Sequence, residues 1–197
     1  MISDAMIIND FYPDPRKVRK QALSSGLFPY VNEIPGARSK GVPIEESNRL
    51  RGIFQDIIGD KITEWHSFGR EPGKNVNNTC FQMINHGETN WVHHDDTSWA
   101  GVIYLTPDAN PDAGTGLFTH IETGVCQWDP NDPSTELNEN EDRFDLSKWR
   151  CNLRVENKFN RLILYRGSMY HSSLIAGFGN NYENGRLTQV FFFNTEN

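Results

Sequence analysis

Cys80-Phe81-Gln82-Met83-Ile84, Asn90-Trp91-Val92-His93-His94-Asp95 and Gly101-Val102-Ile103-Tyr104-Leu105-Thr106 follow one another closely, with Asn85-His86-Gly87 as turn punctuation after the first. Each run is short and rich in β-branched and aromatic residues, and none carries a helical spacing. The same texture continues through Gly116 to Ile121, Gly124 to Trp128, Arg161 to Arg166, Met169 to Leu174 and Leu187 to Asn194, with Arg166-Gly167-Ser168 as another turn signal. Parallel βαβ units need helices between strands, and this region offers none. The pattern predicts an antiparallel sandwich or jelly roll over residues 80–194.

Upstream the reading changes. Met6-Ile7-Ile8 can form an edge strand. Asp14-Pro15 has the form of an N-cap with proline in the first turn, and Gly26 can close that helix. After a loop rich in Pro and Gly, from Pro29 to Pro43, the stripe Leu50, Ile53, Phe54, Ile57 and Ile58 predicts a second helix ending at Gly59. A short third helical segment is expected over Lys61 to Trp65. The fold class is therefore mainly β with N-terminal helices (α+β). Residues 1–197 are expected to form a single domain, with 1–79 as helical support for a β core.

The 197 residues are 37% apolar, 23% charged and 12% aromatic, which supports a packed core. No apolar run approaches the roughly 20 residues of a membrane span. No signal peptide is expected from the Met1-Ile2-Ser3-Asp4 start. Three cysteines, Cys80, Cys126 and Cys151, lack the close spacing of a disulfide framework or zinc site and point to a reducing, cytoplasmic compartment. The net charge is −7, so phosphate backbones are not attracted in general and no nucleic-acid partner is expected. Residues 129–145 hold seven acids against Arg143 alone, within an insert at about 129–150 that reads as a solvated loop.

Among six histidines, His93 and His94 stand beside Asp95 and Asp96. In a strand, residues two apart share a face, so His93 with Asp95 is one same-side pair and His94 with Asp96 is another. Either pair, joined by a histidine from a distant strand, gives two imidazoles and one carboxylate. That set caps one face of an octahedral metal and leaves open positions, as in non-haem Fe(II) oxygenases. His171 is the second conspicuous histidine. Arg186 heads the apolar strand that follows, where its fork would suit a carboxylate, with Thr188 adding a hydroxyl on the same face. Plainer readings stand beside these: a polar turn at a strand end, a core histidine bonded to backbone, and an arginine at the exposed start of the last strand.

The ordered set His-x-Asp, His and Arg-x-Thr resembles the 2-oxoglutarate and Fe(II)-dependent dioxygenases, whose core is a double-stranded β-helix, a cupin-like jelly roll. Within them it is similar to the prolyl-4-hydroxylase-like, uncharacterised oxygenases of bacteria and phages. The likeness extends over Asn9-Asp10-Phe11-Tyr12, Pro35-Gly36-Ala37-Arg38-Ser39, Trp91-Val92-His93-His94-Asp95, Trp99 to Leu105, Gly114 to Phe118, Asn160 to Ser173 and Phe178 to Thr188.

The resemblance implies that His93, Asp95 and His171 are the catalytic iron ligands. It favours the first register over His94 and Asp96 because the ligand follows an aromatic-aliphatic pair. It further implies that Arg186, helped by Thr188, meets the distal carboxylate of 2-oxoglutarate, with Tyr104 beside it or, equally, an ordinary core residue. Fe(II), 2-oxoglutarate and O2 would then hydroxylate a small-molecule or peptidyl substrate, releasing succinate and CO2. The interval from His171 to Arg186 is longer than in many prolyl hydroxylases. Loops between core strands commonly frame the entrance in this class. The acidic segment would then be a lid that disfavours strongly anionic substrates. Two other classes remain open: a cupin-like metalloprotein that uses no keto acid, and a non-enzymatic jelly-roll binding module.

Overall fold

Alternation along the C-terminal segment Arg186–Thr195 organises the molecule. Leu187, Gln189, Phe191 and Phe193 are buried on one face, while Arg186, Thr188, Val190 and Phe192 occupy the other, as a period of two requires. The computed structural model describes residues 4–26, 28–29, 35–65, 78–138 and 140–196. In chain order its elements are β1 (Ala5–Ile8), α1 (Pro15–Ser24), β2 (Phe28–Pro29), β3 (Ala37–Arg38), α2 (Ile44–Ile58), β4 (Ile62–Glu64), β5 (Phe81–Ile84), β6 (Trp99–Tyr104), β7 (Thr115–His120), β8 (Trp149–Val155), β9 (Leu162–Arg166), β10 (His171–Ser173) and β11 (Arg186–Thr195). The structure is mostly β with two helices.

All strand pairs are antiparallel. The larger sheet runs β1-β9-β6-β11-β5-β3-β2, with β4 joined to the far end of β11. The smaller runs β10-β7-β8. Residues facing each other across neighbouring strands share a side of the sheet, so the register Arg38–Gln82–Thr188–Tyr104 forms one row across four strands.

The helices cover the other side. The α1 helix starts where the Asp14 side chain accepts from the Lys17 amide at 3.1 Å, with Pro15 in the first turn. The α2 helix buries Leu50, Phe54 and Ile58 and ends at Gly59, whose φ of 67° is left-handed. Phe54 meets Phe191 at 4.6 Å and Phe193 at 5.6 Å between ring centroids. Trp65 closes the same cluster, and its Nε1–H donates to Ser47 Oγ at 2.9 Å.

Four expectations need correction. Lys61 to Trp65 is not helical: after the left-handed Gly59, Ile62 turns into the core and the chain runs as β4 against β11. Asn90 to Asp95 and Gly124 to Trp128 are not ladders; each makes a single bridge, His93 with His171 and Gln127 with Met169. The short β10 offers too little edge to pair a full strand. The first 79 residues are not only helical support, because β1 to β4 extend the sheet. Lastly, β8 emerges from the end of the insert, its middle solvent-facing and holding Arg150, Asn152 and Arg154.

Truncating Phe54→Ala removes the ring that joins α2 to β11. Denaturant unfolding is expected to show a loss of about 3–5 kcal/mol, and a loss below 1 kcal/mol would mean that another contact seats the helix.

Candidate metal centre

His93 and His171 are joined by reciprocal backbone hydrogen bonds. The His93 amide donates to the His171 carbonyl at 3.0 Å, and the reverse bond is 2.8 Å. This hydrogen-bonded antiparallel pair sends both imidazoles to one side, with ring centroids 4.4 Å apart. Asp95, two residues on, reaches the same side, and its amide donates to the Gly167 carbonyl at 2.8 Å. A Cβ on Gly167 would run into the Thr97 carbonyl oxygen, so glycine is required for this close approach. The donor atoms of His93, Asp95 and His171 all lie within 4.8 Å of one another.

The tautomers follow from the partners. His171 Nδ1 lies 2.8 Å from the Met169 carbonyl oxygen and His93 Nδ1 lies 3.2 Å from that of Trp91. A carbonyl only accepts, so each Nδ1 carries a proton and Nε2 is the nitrogen left to act as a metal ligand. His171 Nε2 then faces Asp95 Oδ2 at 3.3 Å, and that buried oxygen has no hydrogen-bond partner among the described residues. Two lone pairs at that separation repel unless a proton or a metal cation lies between them. Burial and the neighbouring His171 depress the His93 pKa to about 4, so its ring is neutral near pH 7. Burial would raise the Asp95 pKa, but His171, His93 and Arg38 outweigh it and hold the carboxyl below its usual range. Two imidazoles whose Nδ1 atoms are committed to backbone carbonyls and one carboxylate fit a divalent metal that leaves positions open.

The three donors line a cavity of about 510 Å³ that also holds Arg186, Arg38, Tyr165 and Phe192. Arg186 is 4% exposed. Its Nε–H donates to the Ala113 carbonyl at 3.2 Å, and its guanidinium lies 5.9 Å from the Tyr104 ring centroid. Among the described residues no carboxylate pairs with it, and burial lowers its pKa. A buried cation without a counter-ion is strongly unfavourable, so this corner suits an anion. Tyr104 supports the corner indirectly, since its hydroxyl donates to Thr115 Oγ1 at 2.7 Å and Thr115 lines the cavity. The Thr188 hydroxyl instead points to the Gln82 carbonyl at 3.5 Å and does not line the cavity.

The second register is not assembled. His94 turns away, its ring stacked on Trp128 at 4.5 Å and its Nε2 3.1 Å from Glu136 Oε2. The Asp96 side chain is 86% exposed. The acidic insert is a largely exposed surface segment, as its composition suggests, built of short 3₁₀ turns. None of its described acids lines the cavity. Glu139 lies outside the described residues. Asp132 and Asp145 cap short 3₁₀ turns by accepting from the Ser134 and Ser147 amides at 3.0 and 2.9 Å. Asp142 sits 3.1 Å from buried His120 Nε2. Sequence reasoning missed Tyr165, whose ring packs 4.6 Å from His171, and Phe192 on the cavity face of β11. A period of two read along residues 162–166 and 186–193 selects both.

The chain belongs to a Family of unknown function (DUF6445), whose model matches residues 3–193. No curated protein matches it in sequence. In fold it is similar to HygX from Streptomyces hygroscopicus, solved with nickel and 2-oxoglutarate bound, with a TM-score of 0.59 and 10% identity over 99% of this chain and 84% of that one. A prolyl hydroxylase from Trichoplax adhaerens, in complex with a hypoxia inducible factor oxygen degradation domain peptide fragment, gives 0.54 and 18% identity over 96% and 83%. Among the described residues no helix is long and apolar enough to cross a membrane.

Asp95→Asn tests whether the carboxylate is held for a metal or for the fold. Added Ni(II) should stabilise only the wild type. A clear fall in the melting temperature of the metal-free variant would make Asp95 a structural partner of His171.

Proposed function

We propose that this chain is an Fe(II)- and 2-oxoglutarate-dependent oxygenase, built as a single double-stranded β-helix domain, that hydroxylates a small-molecule or peptidyl substrate. The observation that carries this reading is a pair of complementary donor clusters on one cavity. Two imidazole Nε2 atoms surround a carboxylate oxygen that has no hydrogen-bond partner among the described residues, and a buried arginine nearby has no acid partner among them. The fold shared with HygX is consistent with it.

In this reading His93, Asp95 and His171 hold the iron, while Arg186 receives the distal carboxylate of 2-oxoglutarate. Bound Fe(II) with the keto acid supplies the activation of O2 and the oxidation, with succinate and CO2 as co-products. The protein's part is geometric and electrostatic. The backbone carbonyls of Trp91 and Met169 fix the ring tautomers. Tyr104 and the Ala113 carbonyl hold the Arg186 fork in place. Phe192, Val190 and Tyr165 give the cavity an apolar wall that limits water.

Anaerobic titration with Fe(II), then 2-oxoglutarate, tests the reading through the visible metal-to-ligand charge-transfer band. A band is expected in the wild type, and His171→Ala should abolish it with metal uptake. Arg186→Met should keep metal uptake and weaken 2-oxoglutarate about 100-fold, the loss of a charge-assisted pair worth roughly 2–3 kcal/mol. Metal uptake without a band would favour a metalloprotein that uses no keto acid, and no uptake would favour a binding module.

A further inference from the structure

We propose that the Tyr165 hydroxyl is a ligand contact of the cavity: it donates a hydrogen bond to the inner, metal-bound carboxylate of 2-oxoglutarate. It thereby helps to set how the keto acid lies between the metal and Arg186. The proposal rests on the reading above, in which His93, Asp95 and His171 hold the metal and Arg186 takes the distal carboxylate.

Four tyrosines are buried among the described residues, Tyr12, Tyr104, Tyr165 and Tyr170. A buried phenol ordinarily finds a partner for its O–H. Three of them do: Tyr12 donates to Gln189 Oε1 at 2.6 Å, Tyr104 to Thr115 Oγ1 at 2.7 Å and Tyr170 to the Thr135 carbonyl at 2.7 Å. Tyr165 is 3% exposed, and among the described residues no hydrogen bond engages its hydroxyl. The reason lies in the register. Strand β9 runs between β1 and β6, and Tyr165 stands opposite Ala5 on one side and Ala100 on the other. Residues opposite each other share a face of the sheet, so both lateral neighbours are methyl groups, which neither donate nor accept. Above the sheet its ring packs 4.6 Å from that of His171, whose Nδ1 is already committed to the Met169 carbonyl. The ring of Tyr165 thus belongs to the apolar wall, while its hydroxyl is a donor that the protein leaves to the cavity it lines.

Position then selects the occupant. Ala100, Val102 and Tyr104 of β6 point to one face, and Tyr165 and Ile163 of β9 stand beside the first two in register. Phe192 and Val190 of β11 flank the same two positions on the other side. Tyr165 marks the histidine end of this floor, and Arg186, 5.9 Å from the Tyr104 ring centroid, closes the other. A ligand held by the metal at one end and by Arg186 at the other lies along the floor, with its metal-bound end nearest Tyr165. A phenol there is a neutral donor, so it adds no positive charge beside a metal cation, as a lysine or arginine would. Its natural acceptor is a carboxylate oxygen that the metal leaves free, a charge-assisted bond.

The test uses the full chain under anaerobic conditions, titrated with Fe(II) and then with 2-oxoglutarate, and compares the wild type with Tyr165→Phe. The variant keeps the ring and removes only the hydroxyl, so its metal-free melting temperature and its Fe(II) affinity are expected to match the wild type. Its affinity for 2-oxoglutarate should fall about tenfold. The charge-transfer band should also move in wavelength, because it reports on the metal-bound end of the keto acid. Either equal affinity or an unmoved band in the folded variant would overturn the contact and leave the keto-acid reading standing. A clear fall in melting temperature, failure to fold or loss of Fe(II) uptake would make the hydroxyl a structural partner and overturn the contact as well. If the wild type itself shows no band, the keto-acid reading fails and carries the contact with it.

Discussion

Two backbone hydrogen bonds between His93 and His171 set the geometry on which the proposed site depends, and little regular structure supports them. His93 is a lone bridge residue, and β10 has three residues. The bond pair persists because loops hold it from both sides. The Val92 amide donates to the Arg143 carbonyl at 2.9 Å, and the Phe118 amide donates to that of Tyr170 at 2.8 Å. Tyr170 precedes the proposed ligand His171, and its hydroxyl donates to the Thr135 carbonyl while accepting from the Leu137 amide, each at 2.7 Å. Asn138 grips the other segment, accepting from the His94 amide at 3.0 Å and donating to the His94 carbonyl at 3.3 Å. The turn around residues 135–138 therefore touches both histidine-bearing segments at once.

This gives the acidic insert a structural role. Its aspartates close short turns, where a side-chain oxygen replaces a missing backbone acceptor. Glu136 and Asp142 reach two buried histidines, His94 and His120. A run that looks like uniform negative charge in the sequence thus divides into capping oxygens and hydrogen-bond partners of buried histidines. Phe144 brings the segment to the cavity rim, its ring 6.0 Å from that of Trp91.

Much of the fold was legible where burial imposes a period. The α2 stripe and the alternation of β11 each have one wholly apolar face, so residue type reveals side. Legibility failed where pairing is short or a face is wet. The β8 strand has solvent-facing Arg150, Asn152 and Arg154 where a core strand would show apolar residues. Residues 124–128 look like a strand but bond to irregular chain, a tertiary outcome that local pattern does not encode. The His-x-Asp pair was visible because two residues of strand rise are a local matter. Strand period alone does not choose between His93 and His94, since either register satisfies it, and only the resemblance favoured the first; in the structure His94 is buried against Trp128 instead.

β11 shows why such groups can survive in a stable core. Its helix-facing side is closed by Leu187, Phe191 and Phe193, and the Tyr12 hydroxyl donates to Gln189 Oε1 at 2.6 Å, so the polar group there is satisfied. Among the described residues, its cavity-facing side carries the guanidinium of Arg186 with no acid partner, and the neighbouring wall carries Asp95 Oδ2 and Asn78 Nδ2 with no hydrogen-bond partner. Unpartnered buried atoms occur singly elsewhere, as at Asn157 Oδ1, where they weaken packing locally. On the cavity wall they gather, and their types are complementary to a cation and to anions. A fold tolerates such a concentration when the opposite face of the same strand supplies apolar burial to offset it. The apolar alternation that makes β11 the centre of the sheet thus also permits a frustrated polar face to persist until it is occupied.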